Sequence, residues 1–258
     1  FSSMPSEPKI ITLYLTHLSK SSKFSTLKRR LASISVIHKL NGHYLDTKHP
    51  IITENILGIK RVKGTYQKAK KPILINDLKL IINAIDQDKN EKSSSKKKAL
   101  ILIGFAGGFR RSELVSICYE DIDFVNEGVK IFVKRSKTDQ SGEGMTKGIP
   151  YFSNPNYCPV VSLKKWIKEG QINSGEIFKM SDKNVALILK KYAGIAGLDQ
   201  NKYSGHSLRS GFATSTAELG AEERSIMAMT GHKTTQMVRR YIKEANLFKN
   251  NALNKIKI

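Results

Sequence analysis

The chain has 258 residues and a mass of 28.9 kDa, and 40% of its residues are hydrophobic, enough for one large domain or two ordinary ones. Its 44 Lys and Arg residues against 22 Asp and Glu give a formal charge of +22, which indicates a polyanionic partner, nucleic acid before an anionic membrane. The longest apolar run, residues 99–109, is too short to cross a bilayer. Composition therefore excludes a wholly disordered chain and a transmembrane helix.

The chain lacks the signals of an exported or metal-binding protein. Residues 1–20 have no basic start, apolar centre and small-residue cleavage site, and two cysteines, Cys118 and Cys158, fit neither a disulfide scaffold nor a zinc cluster. We expect a cytoplasmic protein that works at the nucleoid, without a membrane, metal ion or other cofactor. Because the chain begins at Phe1 rather than Met, we expect its N-terminus to be incomplete.

Half of the excess charge lies in the first quarter of the chain. Residues 1–71 hold 14 Lys and Arg and 3 Asp and Glu, a net +11, and the other 187 residues also carry +11. Apolar residues at three- and four-residue spacing predict helices over 9–20, 26–40 and 51–63, with Ser25 capping the second helix and Gly42 ending it. We predict a separate helical domain over 1–71, which binds DNA.

Six basic residues of this segment are predicted to contact DNA. Three of them fall in the first turn of the predicted helix 26–40, where they oppose the helix dipole, so that their placement favours a role other than helix stability. The other three lie in the polar, proline-terminated linker 64–72. The alternative is a solvated basic surface. The six residues are Lys28, Arg29, Arg30, Lys68, Lys70 and Lys71.

The rest of the chain, 73–258, is predicted to be a mostly helical domain with a small sheet. Two short strands joined through residues 126–128 form a hairpin, and a third strand follows it. The lysine- and serine-rich patch 92–98 is predicted to be an exposed loop. Predicted strands are 122–125, 129–133 and 147–152, and predicted helices are 74–85, 96–105, 160–169, 182–193, 206–219, 222–229, 234–242 and a tail helix, 246–256. The fold class is mainly α with a three-stranded antiparallel sheet.

Four polar motifs in this second segment each carry little information alone but together describe one chemistry. They are GFRRSEL at 108–114, RSKTD at 135–139, GHSLRSGFAT at 205–214 and TGHKTTQMVRRY at 230–241. Breaking a phosphodiester without hydrolysing it requires a nucleophile that retains the phosphoryl group, charge stabilisation of its oxygens and an acid for the leaving alkoxide. The residues that supply these functions are Arg110, Lys137, His206, Arg209, His232 and Tyr241.

Each residue type suits one role. The forked donors of Arg110 and Arg209 bind the nonbridging oxygens in place of metal ions. The two histidines donate hydrogen bonds to the phosphate or accept the proton of the nucleophile. Lys137, beside the hairpin, protonates the leaving 5′ oxygen, and Tyr241 is the nucleophile, so that the stored phosphotyrosine bond makes ATP unnecessary.

Each residue also has an alternative structural role. Arg110 could pair with Glu113, and His206 could cap a helix on which Arg209 is surface charge. Lys137 is one of many lysines, and Tyr241 one of nine tyrosines. Coincidence is a poor explanation for all six together, because they complete one mechanism.

In this order the motifs resemble those of the tyrosine site-specific recombinases, the phage integrase family. The first box of that family, an arginine with a glutamate three positions on, selects Arg110 with supporting Glu113 over Arg111. The HxLR box is similar to residues 206–209, and the Gly-His pair to residues 231–232, nine positions before the tyrosine. The resemblance implies a helical core-binding domain, a catalytic domain of the DNA breaking-rejoining type, a 3′-phosphotyrosine intermediate and a homotetramer on double-stranded DNA.

Two alternatives remain open beside a bacterial or mobile-element recombinase. One is a type IB topoisomerase-like enzyme that relaxes DNA as a monomer. Ala245, Phe248, Ala252 and Ile256, on one face of the predicted tail helix, favour docking on a neighbouring protomer instead, although that helix could fold back on its own domain. The other is a noncatalytic DNA-binding architectural protein, which would have no use for a reactive tyrosine.

Overall fold

A computed structural model of the chain describes residues 4–65, 69–134, 142–245 and 252–256. The chain forms two compact units, residues 1–69 and 70–258. The boundary lies two residues before the predicted end of the first domain at residue 71, because Lys70 and Lys71 are bonded to the second unit. The Lys71 backbone N–H donates to the carbonyl of Lys202 (2.7 Å), and the Lys70 ammonium donates to the carbonyl of Asn201 (2.6 Å).

The first unit is built on three helices around a small apolar core. They are α1 (Pro8–Ser19), α2 (Phe24–Leu40) and α3 (Pro50–Lys63). Helix α2 begins at Phe24, which packs against the core, and Lys23 rather than Ser25 is its N-cap residue, so that the predicted cap is wrong. Because the helix starts earlier than predicted, residues 28–30 lie in its second turn, beyond the reach of most of the dipole penalty.

The second unit contains the remaining helices and the sheet. Its core lies between α4, α5, α7, α8 and the buried face of the sheet. Its helices are α4 (Ile75–Asp86), α5 (Glu91–Ala106), α6 (Arg111–Val115), α7 (Pro159–Gly170), α8 (Asp182–Ile195), α9 (Ser207–Glu218), α10 (Glu223–Thr230) and α11 (Thr235–Ala245). The described helices include none that is long and apolar enough to span a membrane.

The patch 92–98 is helical, and the prediction of an exposed loop there is wrong. The Asn90 side chain caps α5 by accepting a hydrogen bond from the backbone N–H of Ser93 (3.0 Å). Lys97 and Lys98 form ion pairs with Asp88 (2.9 Å) and Asp86 (2.8 Å), which lie just before the helix. Local capping and charge pairing therefore extend the helix five residues beyond its predicted apolar start.

The sheet has three antiparallel strands in the order β1 (Ile122–Val125), β2 (Gly128–Val133) and β3 (Met145–Pro150). Alternate residues of β2 and β3 face the core. Strand β3 ends at Pro150, two residues earlier than predicted, because Pro150 pairs with Gly128, the first residue of β2. With these strands and helices the predicted fold class, mainly α with a small antiparallel sheet, is confirmed.

The C-terminal tail differs from the predicted helix 246–256. Residues 246–251 lie outside the described residues, and Ala252–Lys255 form a 3-10 turn instead of an α-helix. Leu253 and Ile256 are 67% and 58% exposed. The described part of the tail therefore presents apolar side chains to solvent.

Candidate active site

The first part of the site is the turn between α5 and α6. Gly108 has a φ of +54°, a conformation that favours glycine, and it turns the chain so that Arg110 precedes the first residue of α6. The backbone N–H of Arg110 donates to Oε2 of Glu113 (2.9 Å), and its Nη1 donates to Oε1 of the same carboxylate (2.5 Å). Glu113, buried at 3% exposure, thus holds the Arg110 guanidinium in place.

Electrostatics keeps Glu113 ionised in spite of its burial. Burial alone would raise the pKa of Glu113, but the two hydrogen bonds from Arg110 and the positive charge of Lys147 lower it. The charged pair therefore persists at neutral pH, and breaking it would leave a buried carboxylate without its partner.

Arg209 lies on α9 and is almost completely buried, at 1% exposure. Its Nη1 donates to the carbonyl of Gly108 (2.8 Å), so that the same turn holds both arginines. Its Nη2 is buried and has no hydrogen-bond partner among the described residues. Burial, together with the charge of Arg110, lowers the pKa of Arg209 to about 10, whereas Glu113 and Tyr241 raise it. The side chain thus remains a cation with one unused donor.

Lys147, on β3, is a third basic residue of the site and was missed by the sequence analysis. The side chain is 1% exposed, its ammonium donates to the carbonyl of Gly107 (2.7 Å), and it lies 4.4 Å from the ring centroid of Phe109. Burial lowers its pKa to about 7; Glu113 raises it, and Arg209 and Arg110 lower it further. The signal available in the sequence was the two-residue period of a strand. Lys147 lies two residues before the apolar Ile149 and therefore on the same face, which is the face toward the core.

The two basic residues next to these buried groups face outward. His206 is exposed and directly precedes α9. Partial desolvation and then the charges of nearby arginines, Arg209 and Arg110 first, lower its pKa. Arg111 is 3.6 Å from Asp182 at the surface. Arg111 thus pairs with a surface carboxylate, whereas Arg110 pairs with the buried Glu113 next to the turn that Arg209 binds.

The turn after α10 places His232. Gly231 ends α10 in the left-handed conformation (φ +63°), which a side chain rarely adopts, and the chain then folds back so that His232 Nδ1 lies 2.7 Å from the hydroxyl of Thr230. Burial lowers the pKa of His232 to about 4, and Arg209, Arg110, His206 and Lys147 act in the same direction. The ring is therefore neutral at physiological pH.

Tyr241 lies on α11 beside this histidine. The two ring centroids are 6.1 Å apart, with an angle of 37° between the rings. The tyrosine ring packs against a cluster that includes Ala213 of α9 and Val238 of α11. Helix α11, which carries Tyr241, packs on α9, which carries Arg209.

Comparisons with known proteins agree with these features. The model of the phage integrase family matches residues 73–247. The chain is 43% identical over 268 residues to the integrase/recombinase xerD homolog of Selenomonas ruminantium, covering 98% of this chain and 78% of that protein. It is 25% identical over 230 residues to the tyrosine recombinase XerC of Syntrophus aciditrophicus, covering 84% and 68%. The chain belongs to the phage integrase family.

Solved structures of tyrosine recombinases share the fold. The XerH site-specific recombinase in a post-cleavage complex with a palindromic difH substrate has a TM-score of 0.72 at 18% identity, covering 96% of this chain and 73% of that one. A lambda integrase fragment bound to a COC′ core site has a TM-score of 0.62 at 18% identity, covering 100% and 86%. The predicted membership of the tyrosine recombinases, and with it the recombinase activity, is confirmed.

Five of the six predicted catalytic residues of this recombinase lie in the described part of the second unit, and the contacts and charges above bring them into one region. Lys137 lies outside the described residues, between β2 and β3. No group of three or more His, Cys, Asp and Glu residues that could hold a metal ion occurs in the part of the chain that the structure describes.

The predicted DNA-contacting residues fall into two groups. Lys28, Arg29 and Arg30 are exposed on α2. Lys71 forms an ion pair with Asp77 (2.9 Å), and the hydrogen bond to Asp77 is the largest cause that raises the pKa of Lys71. Lys70 donates to the carbonyl of Asn201, so that both lysines have partners inside the second unit. Lys68 lies outside the described residues. The predicted basic linker is thus shorter than the sequence suggested.

Proposed function

We propose that this recombinase cuts and rejoins double-stranded DNA at specific sites through a covalent 3′-phosphotyrosine at Tyr241. The tyrosine oxygen attacks the scissile phosphorus and loses its proton, the bond from phosphorus to the 5′ oxygen breaks, and that oxygen takes a proton from Lys137. Attack by a 5′ hydroxyl of another strand reverses the step and restores the tyrosine. The protein acts on chromosomal or mobile-element DNA at the nucleoid.

The observation that carries this proposal is the buried, unused donor of Arg209. A buried guanidinium nitrogen without a partner among the described residues costs free energy unless a ligand takes it up. Arg209 binds the carbonyl of Gly108 in the turn that precedes Arg110, and Tyr241 lies near enough to raise the pKa of Arg209. A phosphate bound to the two forks would satisfy the donor, stabilise the negative charge of the transition state and lie beside the tyrosine.

This arrangement requires no metal ion and no ATP. The two arginines supply the positive charge that a metal ion would supply in other phosphodiester enzymes, and Lys147, with a pKa of about 7, adds to it in its protonated form. The phosphotyrosine keeps the energy of the broken bond. His232, neutral beside these cations, accepts a proton or hydrogen-bonds to the phosphate.

A nicked suicide substrate tests the chemistry. Wild-type protein should form a covalent protein–DNA complex that survives a denaturing gel, and peptide mapping should place the DNA on the peptide that contains Tyr241. Tyr241→Phe keeps the ring, so binding should persist while the adduct disappears. Tyr192→Phe and Tyr203→Phe are matched controls, since both tyrosines are buried, and should still form adduct. Adduct on another residue would refute the assignment. No adduct with the wild type would favour the noncatalytic binder.

The exposed face of α2 supports a DNA-binding role for the first unit. Lys28, Arg29 and Arg30 all project into solvent from a unit whose core is apolar. Cations in water bind the phosphate backbone by displacing its counterions, which gives affinity without sequence preference. We assign the first unit to clamping the DNA and the second to cutting it.

We further propose that the enzyme assembles as a homotetramer on DNA and that the tail contacts a neighbouring copy. The described tail residues Leu253 and Ile256 are exposed, and the second unit contains an apolar cavity of about 680 Å³ lined by residues of α4, α5, α9 and β3. We propose that the tail of a second copy occupies this cavity, because both surfaces are apolar. Deletion of residues 246–258 should spare single-site binding and weaken the joining of two bound sites in native gels. Unchanged joining, or relaxation of supercoiled DNA by a monomer, would favour the topoisomerase-like alternative.

A further inference from the structure

The Thr230 hydroxyl has two close partners. Its Oγ1 lies 2.6 Å from the carbonyl oxygen of Ile226, one turn earlier in α10, and 2.7 Å from Nδ1 of His232. Thr230 is completely buried, so that water cannot replace either partner. The hydroxyl therefore links the backbone of a helix to the imidazole of the candidate active site.

Counting protons decides the direction of both bonds. A hydroxyl has one proton to donate, and a carbonyl oxygen can only accept. If Thr230 donated its proton to His232, its oxygen and that of Ile226 would face each other at 2.6 Å with no proton between them. The proton therefore points to Ile226, and the Thr230 oxygen accepts a hydrogen bond from Nδ1–H of His232.

This bond selects the tautomer of the histidine. Because His232 is neutral at physiological pH and its proton is on Nδ1, Nε2 carries the lone pair. An acceptor at Nδ1 also suits the imidazolium, which retains the Nδ1 proton when Nε2 takes up a second one. Nε2 is thus the only ring nitrogen that can gain or lose a proton during the reaction.

We infer that Thr230 is a positioning residue that fixes the Nδ1–H tautomer of His232 and so leaves Nε2 as the ring nitrogen that can contact the bound phosphate. The inference rests on the proposed function for the presence of a phosphate beside His232. The bond from Nδ1–H to the Thr230 oxygen also holds the imidazole in one orientation, so that its loss removes both the tautomer preference and the fixed position of Nε2.

The test compares variants of the full chain that differ at this hydroxyl. Thr230→Val keeps the branched shape and removes the acceptor, whereas Thr230→Ser keeps the acceptor. Thr12→Val is the matched control, because the Thr12 hydroxyl also donates to a carbonyl four residues earlier in a helix, that of Pro8 (2.8 Å), but lies in the first unit. Nitrogen-15 NMR of the free protein reads the tautomer of His232, with its signal assigned by loss in His232→Gln.

We expect wild type and Thr230→Ser to carry the proton on Nδ1, and Thr230→Val to shift toward the Nε2–H form. In single-turnover cleavage of the suicide substrate, Thr230→Val should be on the order of tenfold slower, the effect of one lost hydrogen bond, with unchanged DNA affinity. Thr230→Ser and Thr12→Val should cleave at nearly the wild-type rate. If Thr230→Val does not fold, Thr230→Ala carries the same expectation.

Three results would overturn the inference: an Nε2–H tautomer in the wild type, an Nδ1–H tautomer that persists in Thr230→Val, or wild-type cleavage by that variant. Failure of the proposed function has a different signature. It would appear as the lack of an adduct on Tyr241 in the wild type, whereas the tautomer signal of the free protein reports on Thr230 by itself.

Discussion

The two units of the molecule both carry an excess of positive charge and place it differently. Residues 1–69 have a net charge of +9, from 12 Lys and Arg against 3 Asp and Glu, and residues 70–258 have a net charge of +13, from 32 against 19. On α2 the cations Lys28, Arg29 and Arg30 are exposed, whereas Arg209 and Lys147 in the second unit are each 1% exposed. An exposed cation interacts through water and is screened by salt, while a buried one interacts strongly and in a fixed direction.

The exposed and the buried basic residues are expected to serve different steps, DNA binding and DNA cleavage. Exposed cations attract DNA of any sequence, and each contributes little that depends on exact position. Buried cations have already lost their hydration during folding, so that they stabilise a charged transition state without reorganising. We therefore expect substitutions on α2 to alter binding and its salt dependence, and substitutions in the buried group to alter the rate of cleavage.

The largest effect is expected at Lys137. Lys137→Ala removes the proposed general acid and should slow cleavage by roughly 10² to 10⁴ with nearly unchanged DNA affinity. A substrate with a 5′-phosphorothiolate, whose sulfur leaves without a proton, should restore much of the rate. Single-turnover cleavage of both substrates measures this.

Lys147→Met is the matched control for that experiment. The Lys147 ammonium is bound to the carbonyl of Gly107, so its loss should slow cleavage by disturbing the turn that holds the two arginines, and the phosphorothiolate should give no rescue. Rescue of Lys147→Met but not of Lys137→Ala would make the buried Lys147, and not Lys137, the general acid.

The next effect is expected at Arg209. Arg209→Lys preserves the charge but cannot bond Gly108 and a phosphate oxygen with two nitrogens of one planar group, so that cleavage should fall by roughly 10² to 10³. Arg111→Lys, the same change at a surface arginine, should have little effect. Thermal unfolding of both variants checks that the fold is intact. Equal losses for the two would show that burial is not what distinguishes the reactive arginines.

A smaller effect is expected from the exposed group. Replacing Lys28, Arg29 and Arg30 together by Gln should reduce the log–log slope of DNA affinity against salt by about 2 to 3, since each phosphate that a cation neutralises adds about 0.9 to that slope. The cleavage rate at saturating protein should be unchanged. The matched control replaces the exposed Lys60, Arg61 and Lys63 of α3, an equal loss of charge, and should change the slope less. Equal changes would mean that total charge, and not α2, determines the clamp.

The smallest effect concerns stability and pH. The pKa of Lys147 is about 7 in the folded chain and near 10.5 when exposed, so between these values the unfolded chain binds its proton and the folded chain does not. Stability should therefore rise with pH from about 7 to about 10, by at most about 1.4 kcal/mol per pH unit, and the penalty is fully present below pH 7. Denaturant unfolding should show this rise in the wild type relative to Lys147→Met. Parallel pH profiles would contradict the depressed pKa.

Local rules predicted much of this molecule and failed at identifiable points. The predicted helices, apart from α5 and the tail, agree with the structure to within about three residues at their ends, because apolar spacing decides which residues face the core. Helix α5 starts earlier than its apolar stretch, because Asn90, Asp86 and Asp88 cap and pair its polar first turns. The predicted cap at Ser25 is wrong because Phe24 packs against the core, and the helix therefore begins at Phe24, one residue before Ser25.

The order of the motifs alone identified the family and named Arg110, His206, Arg209, His232 and Tyr241 as partners, because residue types suited to one reaction recur in one sequence order. The tertiary structure decided which of these groups are buried, and thereby their charge states. Lys147 looks like any other lysine until β3 places it near Arg110 and Arg209, and Thr230 becomes significant only when the turn at Gly231 folds His232 back onto its hydroxyl. Burial sets the pKa of Lys147, and the direction of one hydrogen bond sets the tautomer of His232. Both depend on how the folded chain packs, which local sequence patterns do not encode.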